Sequence, residues 1–162
     1  VEPWGNTFNV PFIITHCVNN YGPYQHSEKF IPVVIRCASR GKPIPVYGNG
    51  RNVRDWIYVT DHVIALRCLL DKGKVGESYN IASLCERSNI EVVHDICSLL
   101  DELQPDLRPH SRFISYVEDR KGHDFRYAIT PTKLNSLGLA PTTRWKDGLR
   151  LTVKWYLGEK ND

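Results

Sequence analysis

Methionine is missing altogether from these 162 residues. Translation starts at one, so the sequence reads as a processed chain, a trimmed product or a fragment of something longer. No apolar run approaches the ~20 residues that span a bilayer, and no leader-like segment opens the chain, so no membrane role is expected. A block of like charge is also missing. Lys and Arg total 21 against 18 Asp and Glu, and they are scattered, which leaves the net charge of +3 without the basic patch that nucleic-acid binding needs. The cysteines (Cys17, Cys37, Cys68, Cys85 and Cys97) contain no Cys-x-x-Cys pair and are odd in number, and the histidines form no His-x-x-x-His pair. Neither a disulfide framework nor a metal site follows, and reduced thiols in the cytoplasm are the expectation. Repeats and low-complexity tracts are absent too.

What is present is one module's worth of alternating strand and helix signals, with 41% hydrophobic residues, enough for a core. Val1 to Asn9 holds Pro3, Gly5 and two asparagines and reads as an entry loop. Phe12-Ile13-Ile14 is short and rich in β-branched residues, the mark of a buried strand. A polar loop, Asn19 to Glu28, follows, broken at Gly22-Pro23. Phe30, Val33, Val34, Cys37 and Ala38 then recur at helical spacing, with Pro32 tolerated in the first turn and Gly41 placed to end the helix. Lys42 to Tyr47 predicts a short strand with prolines, suited to an edge. Gly48-Asn49-Gly50 predicts a hairpin turn; Val53 occupies the place where a dinucleotide fingerprint needs its third glycine.

Arg54 to Val59 alternates as a strand, and Thr60-Asp61 is placed to cap a helix whose buried stripe is read as Val63, Leu66 and Leu70. Tyr79 to Ala82 predicts another buried strand. Ser88-Asn89-Ile90-Glu91 has the capping-box pattern, ahead of a face made by Ile90, Val93, Cys97 and Leu100. Phe113 to Val117 predicts a strand leading into the polar turn Asp119 to Asp124. Thr130-Pro131 opens a short helix with Leu134 and Leu137, closed by Gly138. A last helix carries Leu149, Val153 and Tyr156 on one side.

Several residues are equipped for ligand chemistry, and each has a plainer alternative. Arg54 and Arg120 offer planar forks to phosphate oxygens or pair with the adjacent Asp55 and Asp119. Asn19 and Asn20 can donate and accept towards a hydroxyl or amide, or simply cap a strand end. Tyr47 can stack on a flat heterocycle or fill a core. Asn89, at a helix start, can meet an anion with its backbone N–H groups beside it or serve as a cap. His123 reads as a hydrogen-bond donor in its turn in preference to a general base. Tyr156 and Lys160 have the Tyr-x-x-x-Lys spacing, but Lys160 lies at the chain end and Tyr156 reads as a packing residue.

The run Asn19-Asn20-Tyr21-Gly22-Pro23-Tyr24, with Glu28-Lys29-Phe30-Ile31-Pro32, Val46-Tyr47-Gly48-Asn49-Gly50, Arg54-Asp55-Trp56-Ile57-Tyr58-Val59, Tyr79-Asn80-Ile81 and Asp119-Arg120-Lys121-Gly122-His123-Asp124, resembles the C-terminal half of the dTDP-glucose 4,6-dehydratases. That family belongs to the extended short-chain dehydrogenase/reductases. The resemblance implies an α/β fold, Rossmann-like, with a nucleotide-sugar-binding region. Residues 1–162 would form a single module, with strands near 11–17 and 78–82 drawn from the nucleotide-binding sheet. It implies an NAD-dependent lyase of deoxysugar (rhamnose) biosynthesis, which oxidises the glucose C4 hydroxyl, eliminates water across C5 and C6 and returns the hydride to C6.

The resemblance also assigns roles. Asn19, Lys29, Phe30, Pro45, Val46, Tyr47, Arg54, Asn89, Arg120 and His123 would bind a dTDP-sugar, with Pro45, Val46 and Tyr47 walling the thymine and Asn20 facing NAD. No catalytic residue is expected in this chain: the glycine-rich loop, the tyrosine-lysine pair and the acid-base carboxylates would lie in a missing N-terminal half. That half would be the chain's partner, and it carries the helices of the homodimers that full-length members form. Lys121 stands where the family turn has proline. Other nucleotide-sugar epimerases or dehydratases, or a non-catalytic binding fragment, share enough of the pattern to be the alternatives.

Overall fold

The computed structural model describes residues 1–158, and Lys160 lies outside them. Its elements follow the expected alternation: α1 (Glu2–Phe8), β1 (Ile14–Cys17), β2 (Asn19–Tyr21), α2 (Phe30–Ala38), β3 (Ile44–Tyr47), β4 (Val53–Tyr58), α3 (Val59–Lys72), β5 (Ser78–Ile81), β6 (Glu86–Ser88), α4 (Asn89–Leu103), β7 (Ile114–Val117), α5 (Thr132–Asn135) and α6 (Trp145–Gly158). The strands pair in three short sets. β1 runs parallel to β5, with Ile14 opposite Ser78. β4 lies between β2, parallel to it, and β6, antiparallel. β3 runs parallel to β7, with Tyr47 opposite Val117. The chain is α/β, as its alternation predicts.

β4 is the central strand because both of its faces find partners. Successive side chains point to opposite sides of a strand. Trp56 accordingly enters one core, with Ile31, Val34 and Ile35 of α2, Val92, Val93, Ile96 and Leu100 of α4, and Leu149 and Val153 of α6. Its neighbour Ile57 enters a second, with Val18, Ala65, Leu69, Tyr79, Ile81 and Leu134. Each fully buried aliphatic side chain contributes about 1.5–3 kcal/mol relative to an exposed one, so these contacts outweigh local preference wherever the two disagree.

Local signals held where a single turn satisfies them. Ser88 and Glu91 form the capping box: the Ser88 hydroxyl accepts from the Glu91 N–H, and the Glu91 carboxylate accepts from the Ser88 N–H at 2.7 Å. After α2 the Lys42 N–H reaches back to the Cys37 carbonyl at 2.9 Å, and Gly41 takes the left-handed conformation, φ 63°, that glycine adopts at no steric cost. Tyr156 packs against the first core and its hydroxyl donates to the Gln25 carbonyl.

Six readings need correction. Val1 to Asn9 is not a loop but contains α1. The strand read at Phe12 to Ile14 begins at Ile14 and is mostly exposed from Thr15 on. Asn19 to Tyr21 is not loop but strand β2, its hydrogen bonds supplied by distant β4. The Gly48-Asn49-Gly50 turn joins β3 and β4 but makes no hairpin, because β3 pairs with β7 and β4 with β2 and β6. Thr60-Asp61 caps nothing: α3 starts at Val59, and the buried Asp61 carboxylate accepts instead from the backbone N–H groups of Thr142 and Thr143. The stripe of α3 is also displaced. Ala65 and Leu69 are buried, whereas Val63 and Leu70 are exposed.

Candidate functional site

A groove of about 470 Å³ opens between the start of α2, strands β3 and β4, the start of α4 and the turn after β7. Its walls follow from the strand period. In β3, Ile44 and Val46 turn into the core while Pro45 and Tyr47 face the groove. Val46 is only 1% exposed and is not among the lining residues, so the reading of Val46 as part of a base wall is corrected; Tyr47, at 38%, is no core residue. On the opposite wall Phe30 stacks on Trp56 with ring centroids 6.2 Å apart. Two flat aromatic surfaces, Phe30 and Tyr47, therefore border one cleft.

The cations come next. Arg54 is 8% exposed and projects from β4. Its guanidinium donates to the Val53 carbonyl at 2.7 Å and the Asp124 carbonyl at 2.8 Å, and lies 4.5 Å from the centroid of the Tyr127 ring. Asp55 is no partner for it, since that carboxylate accepts from the N–H groups of Ser83, Leu84 and Cys85. Arg120 reaches over Tyr47, 5.1 Å from the ring centroid, and one of its N–H groups meets His123 Nε2 at 3.2 Å. His123 Nδ1 lies 2.7 Å from Asp119 Oδ1, a contact that holds the Asp119 carboxyl below its ordinary value of 3.8. Neither arginine forms an ion pair with a carboxylate among the described residues. Lys29, at the N-cap of α2, adds a third cation, and Glu28 the one lining carboxylate.

Of the residues picked out from sequence, Asn19, Lys29, Phe30, Pro45, Tyr47, Arg54, Asn89, Arg120 and His123 line this groove together. Asn20 does not, because consecutive residues of β2 face opposite ways. Its Nδ2 donates to the Val18 carbonyl at 3.3 Å and to Cys17 Sγ at 3.5 Å, and its buried Oδ1 has no partner among the described residues. Asn89 needs a correction of detail. The first N–H groups of α4 are already spent, Asn89 on the Asn52 carbonyl, Ile90 on the Gly50 carbonyl and Glu91 on Ser88. Only the Asn89 side chain is left to meet a ligand, and it is not the cap, which is Ser88. His123 also differs from its reading, since both ring nitrogens already have protein partners.

Four lining residues were not picked out: Glu28, Val33, Trp56 and Tyr127. Trp56 and Glu28 sit inside the quoted motifs, adjacent to residues that were chosen. Tyr127 had no local signal. A parallel bridge between Val53 and Arg126 carries it to the groove, where its hydroxyl donates to Asn19 Oδ1 at 3.4 Å. Tyr21 is buried against Trp56, Tyr58 and Trp145. Burial, then the neighbouring Cys85 and Asp61, push its phenol upward. No cluster of three or more metal-ligating side chains occurs among the described residues, nor a helix long and apolar enough to cross a membrane.

The family model described as GDP-mannose 4,6 dehydratase matches residues 1–152. The chain belongs to that family. Within it, the chain is 49% identical over 162 residues to a dTDP-glucose 4,6-dehydratase of Haemophilus influenzae, a match covering 97% of this chain and 48% of that protein. A dTDP-glucose 4,6-dehydratase structure from Bacillus anthracis, in complex with NAD, superimposes with a TM-score of 0.86 at 43% identity, covering 98% of this chain and 48% of that one. The Streptomyces venezuelae dTDP-glucose 4,6-dehydratase, also solved with NAD, gives 0.88 at 38% identity, with 98% and 48% covered. The chain is thus a partial homologue of the dTDP-glucose 4,6-dehydratases of this 4,6-dehydratase family, with their Rossmann-like extended short-chain dehydrogenase/reductase fold. It spans about half the length of the curated relatives it matches.

Proposed function

We propose that the chain is the nucleotide-sugar-binding half of an NAD-dependent dTDP-glucose 4,6-dehydratase. The observation that carries this is the pair Arg54 and Arg120, two guanidinium groups facing one groove without a carboxylate partner among the described residues, beside Phe30 and Tyr47. A nucleotide diphosphate supplies what such a site lacks. Its phosphates neutralise the two forks and its base lies on an aromatic face. Asn19, Asn89 and Lys29 are placed for the sugar and phosphate oxygens. Pro45 and Tyr47 wall the base, and His123 stands behind Arg120.

NAD, when bound, accepts a hydride and gives it back. The residue that fits it here is Asn20. It lies at the carboxyl ends of parallel strands, where α/β sheets place ligands, and its unpartnered Oδ1 can accept from a carboxamide N–H. The glycine-rich loop and the proton-transferring tyrosine and lysine are supplied by sequence outside these residues, so the 162-residue chain binds without turning over. Five free cysteines support a reducing, cytoplasmic setting, and the product class is a deoxysugar nucleotide such as feeds rhamnose synthesis.

Calorimetric titration with dTDP tests the reading. Saturable one-site binding is expected. A folded chain, shown by circular dichroism, that takes up no dTDP would overturn it.

A further inference from the structure

We infer that α6 sets the Lys29 end of the groove by clasping the loop that joins β2 to α2, with Trp155 and Tyr156 as positioning residues. The inference rests on the reading of the groove as a nucleotide-sugar site. Asn19, before this loop, and Glu28, Lys29 and Phe30, at its end, line the groove. Trp155 and Tyr156 do not line it, so whatever they contribute passes through the loop.

The loop is held at its entry, its middle and its exit. At the entry Gly22 takes φ 150°, and a Cβ there would come within 2.5 Å of Val59 Cγ1 at the start of α3, an approach that glycine alone allows. In the middle the Gln25 side chain donates to the Asn20 carbonyl at 2.9 Å, while the Gln25 carbonyl accepts from the Tyr156 hydroxyl at 2.6 Å. Tyr24 beside it has a left-handed backbone, φ 61°, which costs a residue with a Cβ. Tyr24 is 85% exposed, so burial does not offset that cost. What holds it is the Trp155 ring, with centroids 4.7 Å apart. At the exit the Lys29 N–H bonds the His26 carbonyl, and the Lys29 carbonyl accepts from Val33 to open α2, both at 3.0 Å. The helix that supplies the clasp is itself fixed: Leu149 and Val153 are buried in the first core, and Arg150 pairs with Glu102 of α4 at 2.6 Å. A cation whose backbone is set in advance loses less freedom when its ligand arrives.

The test is a double-mutant cycle on the 162-residue chain, read by dTDP-glucose titration with amide exchange beside it. Tyr156→Phe keeps the ring and removes the bond to Gln25; it should weaken binding roughly fivefold. Trp155→Ala should weaken it by at least as much, and Trp155→Phe, which keeps a ring for Tyr24, should stay within about twofold of the parent. In a Lys29→Ala background, Tyr156→Phe should change nothing further. An equal loss in both backgrounds would overturn the inference. Exchange separates positioning from lost stability: Tyr156→Phe should speed the Lys29 and Val33 amides more than those of α4. Equal speeding of both sets would overturn the clasp. A folded parent that takes up no dTDP-glucose overturns the nucleotide-sugar reading, and exchange at Lys29 then decides the clasp by itself.

Discussion

Two sides of β4 differ in how far the chain completes them. On the groove side, α2, α4 and α6 close over Trp56, and Ile31, Val34, Val92, Val93 and Ile96 are fully buried. On the other side Ile57, Ala65, Leu69 and Ile81 form a smaller core. Val63 is 56% and Leu70 78% exposed, Trp4 and Phe8 of α1 are exposed too, and among the described residues β1 pairs with β5 alone. The groove side is thus closed over by three helices, whereas the side that carries Ile57 keeps large apolar side chains exposed.

The largest expected effect concerns catalysis. If only the groove side is complete, the pure chain with dTDP-glucose and NAD should yield no 4-keto-6-deoxy product, because binding without a placed hydride acceptor and base leaves the barrier standing. Product formed by the 162 residues alone would break the comparison. Packing comes next. Ile96→Ala, in the closed core, should cost about 2–5 kcal/mol, and Leu70→Ala less than about 0.5 kcal/mol, as read from urea midpoints. Equal costs would mean that both sides are equally packed.

Binding should respond less. Arg54→Lys is expected to weaken dTDP by about 1–3 kcal/mol, since a planar fork becomes a point charge. An unchanged affinity in a folded variant would leave Arg54 a support for the Asp124 loop. Association should be milder still: light scattering should show the parent self-associating through its bare side, and Leu70→Glu should reduce it. A monodisperse parent that unfolds cooperatively would show that the uncovered side is self-sufficient.

The smallest effect is acid sensitivity of the 119–123 turn. The His123 contact lowers the Asp119 carboxyl below 3.8, so the folded value is the depressed one. Its stabilising contribution is then complete above about pH 4 and is lost only as the pH falls through the lowered value. The Asp119 carboxyl carbon, followed by NMR, should titrate entirely in that acid window; titration between pH 5 and 7 would contradict it.

By itself the sequence determined whatever one or two turns of chain can satisfy: the Ser88–Glu91 cap, the Gly41 helix end, the α4 and α6 faces and the β3, β5 and β7 segments. It also carried most of the groove lining, because Asn19, Arg54 and Arg120 lie in the motifs that resemble the family's. Tertiary structure alone decided the rest, and in each case the deciding partner is far away in the chain. Asn19 to Tyr21 looks like a loop until β4 offers its hydrogen bonds. Asp61 looks like a cap until Thr142 and Thr143 take its carboxylate. Tyr127 has no local mark, and a bridge at Val53 brings it to Arg54. The α3 pattern is the opposite case. Its Val63, Leu66 and Leu70 stripe was legible as apolar, but periodicity shows only that a face wants covering and does not name the surface that covers it.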